Sequence, residues 1–273
     1  MSGRSAMEQA LLERQLESAS LFDDRERIAA EHEITAEAIT GLGLEVRRCL
    51  LLACGPSGHH AARFQAGHPG AWVLSADLSL PFVGLARGER ARPAGGRALF
   101  AVADMRALPH AGGCFDLIGL YGNSFGFFDH AGNLEVLREM ARCLRPGGLA
   151  VVTVPRFDYI AGFTAEAPLR WEERAETPRG TLLELGERYY DPRRGLSAGH
   201  CEQRNLTTGE RSARTGLTSR IYPLESPSPA QPGLAAMAAE CGFAASALVP
   251  IPAARTANAK GLMSRMDCLV LTR

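Results

Sequence analysis

Cys49-Leu50-Leu51-Leu52-Ala53, followed by Cys54-Gly55-Pro56-Ser57-Gly58, decides how this chain folds. The first five residues form an unbroken apolar run, as a parallel strand buried on both faces requires. The run breaks in a glycine-containing turn and restarts as a helix-compatible segment, His59-His60-Ala61-Ala62-Arg63-Phe64. A second apolar run, Ala71-Trp72-Val73-Leu74-Ser75-Ala76, ends on Asp77. Strand, turn, helix, strand and acid follow one another. Such a turn aims backbone N–H groups and a helix N-terminus at a cleft, which suits an anionic group. Asp77 lies 22 residues beyond Gly55. That is near the spacing of about 20 at which an acid on the second strand reaches a ribose hydroxyl pair. The stretch predicts a nucleoside-containing cofactor.

Downstream, the pattern repeats. Pro81 to Arg90 reads as a helix, and Pro93-Ala94-Gly95-Gly96 as a loop. Leu99 to Ala103 is a third strand ending on Asp104-Met105, on the same sheet edge as Asp77. Asp104 offers an acceptor and Met105 a soft apolar surface, though Asp104 could instead cap a helix. Phe115 to Leu120 is a fourth strand, and Tyr121-Gly122-Asn123-Ser124-Phe125-Gly126-Phe127-Phe128 follows it at the topological switch point. A helix from Ala131 to Leu144 presents Leu134, Leu137, Met140 and Ala141 on one side, with Asp129 as N-cap. Arg145-Pro146-Gly147-Gly148 stops it before a fifth strand, Leu149 to Val154.

Ala53-x-Gly55-x-x-Gly58 nearly satisfies the dinucleotide pattern G-x-G-x-x-G. Leu52 to Gly58 also resembles the first motif of class I S-adenosylmethionine-dependent methyltransferases, with Leu51 where that family has an acid and Ser57 or Gly58 at its last glycine position. The run from Phe115 through Ser124-Phe125-Gly126 to Leu144-Arg145-Pro146-Gly147-Gly148 is similar to the middle of the small-molecule members, with Asp77 and Asp104 in order upstream. The resemblance covers roughly Cys49 to Pro155. It implies an α/β fold: a doubly wound, seven-stranded, mostly parallel sheet with helices on both faces.

The remainder is placed around that core. Residues 1–48 are read as an N-terminal helical lid: one helix over Ala6 to Ser20 (Met7, Leu11, Leu12, Leu16), and a second from Asp23 closed by Gly41-Leu42-Gly43. As a lid they would bring Phe22 and Arg25 or Arg27 near the cofactor; the alternative is two helices that only pack outside the sheet. Residues 49–155 are the cofactor-binding core. Residues 156–226 carry an inserted antiparallel β meander of three strands, Thr181 to Asp191, Gly195 to Leu206 and Arg211 to Tyr222, as one wall of a substrate pocket. Residues 227–273 complete the core. A proline-rich linker, Pro227 to Pro232, leads to a helix over Gly233 to Cys241 and two strands, Ala245 to Ile251 and Cys268 to Thr272, joined by a closing hairpin around Pro252 to Arg265.

The resemblance implies S-adenosyl-L-methionine as cofactor. It places Ala53, Cys54, Gly55 and Ser57 near the methionine portion, Asp77 at the ribose, Asp104 and Met105 at adenine, and Tyr121 and Asn123 at the cleft floor, with Leu78 also in the cofactor-binding set. Phe125, Phe128, Arg156 and Tyr222 are substrate-wall candidates by position, and His130 and His200 are the candidate bases. Methyl transfer from a sulfonium is an in-line displacement in which the protein chiefly supplies position, so no catalytic triad is expected. Two alternatives stay open: a fold relative that binds the cofactor without transferring its methyl group, as a non-methylating enzyme or sensor, and an NAD(P)-dependent oxidoreductase. The second lacks a Tyr-x-x-x-Lys, Lys260 being the only lysine.

Composition narrows the partners. The 273 residues carry 30 basic and 30 acidic side chains, so the charge balance argues against nucleic acid. Seven scattered cysteines with no C-x-x-C pair read as reduced core thiols, and no metal site is expected. No apolar stretch reaches membrane-spanning length, and Met1 to Glu17 is too polar for a signal peptide. A cytoplasmic protein acting on a small organic molecule, without membrane partners, is the expectation. The exposed meander could pair two copies into a homodimer.

Overall fold

A computed structural model describes residues 25–88, 98–177, 180–226, 232–253 and 265–273. The expected helix over Ala6 to Ser20 lies outside them. So do Phe22, Lys260, the Pro93 to Gly96 loop, and most of the Pro227 to Pro232 linker and of the closing hairpin.

A seven-stranded sheet forms the core. Its strands are β1 (Arg48–Leu52), β2 (Trp72–Asp77), β3 (Ala98–Val102), β4 (Phe115–Leu120), β5 (Leu144–Pro155), β10 (Ala245–Pro250) and β11 (Met266–Thr272). They lie in the order β10-β11-β5-β4-β1-β2-β3, and β11 alone runs antiparallel to its neighbours. Alternation along each strand explains the unbroken apolar runs. Leu50 and Leu52 of β1 and Val152 and Val154 of β5 face one apolar cluster, while Cys49, Leu51 and Val151 face the other. The first cluster is closed by α4 (His130–Cys143) and α6 (Leu234–Glu240) through Leu137, Met140, Leu234 and Met237. The second is closed by α1 (Arg25–Gly41), α2 (His59–Gly67) and α3 (Leu80–Ala86) through Ile34, Phe64 and Val83. All seven cysteines are free thiols, six of them buried. No helix among the described residues is long and apolar enough to cross a membrane.

Local signals hold where they are local. Asp129 caps α4, its carboxylate accepting the Gly132 N–H at 2.8 Å. Gly43, at φ 58°, closes α1, and Leu44 N–H donates to the Ile39 carbonyl. Differences arise where pairing decides. The helix expected over Pro81 to Arg90 ends at Ala86, where the following Arg87 turns its guanidinium onto the Phe100 carbonyl of β3. Arg145 to Gly148 ends α4 as expected but already belongs to β5, which pairs Leu144 with Phe115 across a bulge.

The meander is a separate four-stranded antiparallel sheet, not three-stranded: β6 (Leu169–Thr177), β7 (Gly180–Asp191), β8 (Leu196–Asn205) and β9 (Arg211–Arg220). The additional strand β6 pairs along its whole length with β7. Its charged residues hide the alternation: Glu172 and Arg174 lie outside and Glu173 sits on the Trp171 side. Strand β9 stops at Arg220, two residues early, because Ile221 and Tyr222 leave the sheet to enter apolar clusters. A short helix α5 (Phe157–Ala161) leads from β5 into the meander. Phe157 of α5 meets Tyr190 of β7 edge-to-face at 5.5 Å, and Tyr190 N–H donates to Phe163. At the other corner Arg220 N–H donates to the Gly126 carbonyl at 2.8 Å. The meander is thus rooted on the loops that follow β4 and β5.

Candidate cofactor and acceptor site

The C-terminal ends of β1 to β4 share one edge of the sheet. The turn after β1 takes a left-handed backbone at Ala53 (φ 49°), Gly55 (φ 63°) and Gly58 (φ 61°), and Gly58 starts α2. A side chain on Gly55 would stand in open space, so the turn leaves a bare backbone cradle. Asp77 fixes that cradle. Its two carboxylate oxygens accept the N–H groups of Gly55, at 3.0 Å, and Ser79, at 2.9 Å. Each oxygen keeps a second acceptor direction. Beside it Leu78 is 64% exposed, an uncovered apolar surface at the sheet edge. Ser57 is exposed, whereas Cys54 is buried and burial pushes its thiol up to about 12, so it is no nucleophile at neutral pH.

Asp104 lies two residues beyond the end of β3. No helix follows it, so it caps none. It accepts the Arg106 backbone N–H at 2.9 Å and holds the Arg106 guanidinium through Nη2 at 2.7 Å. The hydrogen bonds from Arg106 hold its carboxyl below the usual range. The same guanidinium lies 4.3 Å from the centre of the Phe128 ring, tying the end of β3 to the loop after β4. Met105 packs on the core cluster.

After β4 the candidates part company. Asn123 takes a left-handed backbone (φ 62°), is buried, and its side-chain oxygen has no hydrogen-bond partner. Gly122, also left-handed, opens onto free space. Tyr121 is turned away beneath α1. Its hydroxyl meets Thr35 Oγ1 at 2.8 Å, its ring stacks on His60 at 4.7 Å, and burial raises the phenol well above its ordinary value. Phe125 is buried against Tyr222 at 5.8 Å. The Tyr222 hydroxyl accepts from Asn133 Nδ2 at 3.0 Å and stands 3.5 Å from His130 Nδ1. His200, by contrast, points outward from the meander, 53% exposed and 3.5 Å from Glu187. Arg156 is held by Asp267 through Nε at 3.0 Å and Nη2 at 2.8 Å.

Sequence reading missed the polar group that docks α1 on the strand ends. Glu31, fully buried, accepts from Arg27 at 2.6 Å, from Thr153 Oγ1 at 2.7 Å and from the Gly122 N–H at 3.4 Å. His60 lies 3.7 Å from its other oxygen and contacts His32 at 3.2 Å. The one available signal was a carboxylate four residues after Arg27 in a stretch rich in alanine and isoleucine. Asn133 was missed too. It is fully buried, accepts from Gly126 N–H at 3.2 Å and donates to the Phe128 carbonyl at 3.0 Å, so it shapes the loop after β4.

Residues 50–148 match the family model of a methyltransferase domain. A demethylmenaquinone methyltransferase of Thermus thermophilus is 38% identical over 106 residues, which are 39% of this chain and 46% of that protein. Another, of Beutenbergia cavernae, is 32% identical over 145 residues, 49% of this chain and 56% of that protein. The chain thus spans about half the length of the curated relatives it matches. Solved structures match more of it. A methyltransferase from Clostridium acetobutylicum superposes with a TM-score of 0.65 at 14% identity, over 92% of both chains. A sugar N-methyltransferase of Streptoalloteichus gives 0.64 at 21% identity, over 90% of this chain and 87% of that one. An amino pentose methyltransferase of Micromonospora echinaspora, solved with bound S-adenosylmethionine, gives 0.62 at 17% identity, over 100% and 99%. Residues 50–148 thus match a methyltransferase domain, and the chain as a whole has the fold of these S-adenosylmethionine-dependent methyltransferase structures.

Proposed function

We propose that this protein transfers the methyl group of S-adenosylmethionine to a small organic acceptor. The observation that carries the reading is the coupling of the bare Gly55 turn to Asp77, with the partnerless Asn123 oxygen on the same sheet edge. These features fit the cofactor's chemistry. Asp77 would take the ribose hydroxyls with its remaining acceptor directions, and Leu78 and Met105 would flank the adenine, whose amino group Asp104 would accept. Ala53 to Ser57 and Gly122 present backbone to the methionine portion without side-chain obstruction. When bound, the cofactor supplies an electrophilic methyl group. The chain's part is to hold and orient, and α1, pinned by Glu31 to Gly122 and Thr153, fixes the wall beside the loop after β4. Phe128 would supply aromatic surface on the acceptor side, backed by the buried Phe125 and Tyr222 of the same apolar cluster. His130, beside Tyr222, is the better placed of the two candidate bases.

Titration calorimetry with S-adenosylmethionine, S-adenosylhomocysteine and NAD in parallel tests this. Saturable heats from the first two and none from NAD are expected. Binding of NAD alone would make the turn a pyrophosphate loop and overturn the reading. Among the described residues the meander also has two open edges, β6 and β9, that a second copy could extend into a homodimer. Sedimentation velocity would show a species of twice the 29.3 kDa chain mass.

A further inference from the structure

One face of the meander is built unlike an ordinary sheet core. Its buried positions include Glu184, Ser197, Gln203 and Ser219 alongside Leu182 and Tyr190. Most of this polarity is satisfied. Glu184 accepts from Trp171 Nε1 at 3.1 Å and from Gln203 Nε2 at 2.7 Å. Arg188 is different. It lies on the same face of β7, between Glu184 and Tyr190. Opposite it β8 carries Gly199, where a Cβ would collide with the Glu187 carbonyl and the Arg188 stem, so the arginine lies across bare backbone. Among the described residues no carboxylate pairs with it, and its one hydrogen bond is a long one, 3.5 Å from Nη1 to Ser197 Oγ. Burial lowers its pKa, the mark of a guanidinium short of solvent. Ser219 is the register partner of Ser197 on β9, so the two hydroxyls stand side by side, and Ser219 Oγ is buried with no hydrogen-bond partner. A desolvated cation beside an unused hydroxyl is costly unless a ligand completes it.

The position is informative as well. Tyr190, two residues from Arg188, packs on Phe157 of α5, and Arg220, next to Ser219, bonds to Gly126. The cluster therefore sits at the end of the meander rooted on the loops after β4 and β5. We propose that Arg188, Ser197 and Ser219 anchor an anionic group, a carboxylate or a phosphate, of the molecule that receives the methyl group. The guanidinium would bind two oxygens side by side and the hydroxyls a third contact. Naming that molecule the acceptor depends on the methyl-transfer reading; the anion site itself does not.

The test uses the whole protein with inorganic phosphate and with acetate as separate probes, followed by calorimetry. Each is titrated into wild type, Arg188→Gln and Ser219→Ala, and each protein is also titrated with S-adenosylhomocysteine. Saturable binding of at least one probe is expected, weakened at least tenfold in Arg188→Gln and severalfold in Ser219→Ala, with S-adenosylhomocysteine affinity unchanged. The tighter probe tells phosphate ester from carboxylate. Absence of saturable anion binding in wild type, or equal binding by wild type and both variants, overturns the proposal. If Arg188→Gln fails to fold, Ser219→Ala decides alone. Anion binding without S-adenosylhomocysteine binding would keep the site and remove the cofactor reading instead.

Discussion

Asp77 Oδ2 accepts the backbone N–H of Gly55 at 3.0 Å, so the acid that ends β2 is locked onto the turn that leaves β1. Its other oxygen accepts Ser79 N–H at 2.9 Å, just ahead of α3. One carboxylate thus shapes the turn and still faces the sheet edge. Asp77→Ala should weaken S-adenosylmethionine binding at least tenfold, since two charge-assisted hydrogen bonds of about 1.5 kcal/mol or more each are lost. Unchanged affinity by calorimetry would displace the ribose from this residue.

Asp104 is tied to Arg106 in a turn and caps no helix. Asp104→Ala should therefore lower affinity for S-adenosylhomocysteine by roughly tenfold, the scale of one hydrogen bond to a charged group, while the melting temperature stays nearly constant. A variant with normal affinity and a lowered melting temperature would make the residue structural.

His32 and His60 are held neutral beneath α1, both pushed down to about 3. Burial is the main cause, followed by His60 for His32 and by Arg27 for His60; Glu31 opposes the shift at His32. Because the folded pKa lies below the unfolded one, protonation favours the unfolded chain. Their contribution is complete above about pH 6.5 and is lost as pH falls toward 3, at up to about 1.4 kcal/mol per pH unit for each. Denaturant unfolding between pH 7 and 4.5 should show this decline, and the double variant His32→Gln, His60→Gln should flatten it. An equal slope in both proteins would assign the acid sensitivity elsewhere.

Gly126 joins the β4 loop to the meander at φ 101°, and a Cβ there would collide with the Arg220 carbonyl. Gly126→Ala should cost about 1–3 kcal/mol through backbone strain and the loss of the Arg220 hydrogen bond. Hydrogen exchange at the Arg220 amide should rise more than at β1. Uniform exchange would mean that this corner does not hold the meander.

Much of the core could be read directly from the sequence. Strands buried on both faces must be continuous apolar runs, so Leu50 to Leu52 and Leu149 to Val154 announced themselves. Gly55, Gly58 and Asp129 act through conformations and caps that involve only near neighbours, and so they too were legible, as was the spacing to Asp77. Other features depend on what packs across from them. Strand β6 is a strand because β7 pairs with it, Tyr121 is buried because α1 closes over it, and Glu31 is docked because Thr153 and Gly122, distant in the chain, donate to one of its oxygens. Arg188 reads as one more charged strand residue until the fold shows it desolvated beside Ser197 and Ser219. The sequence by itself determined the sheet, the turn and the acid at its edge, because backbone conformation and two-sided burial are set residue by residue. Only the tertiary structure decided which polar side chains are satisfied and which still need a ligand, because that depends on non-local neighbours and on lost solvent.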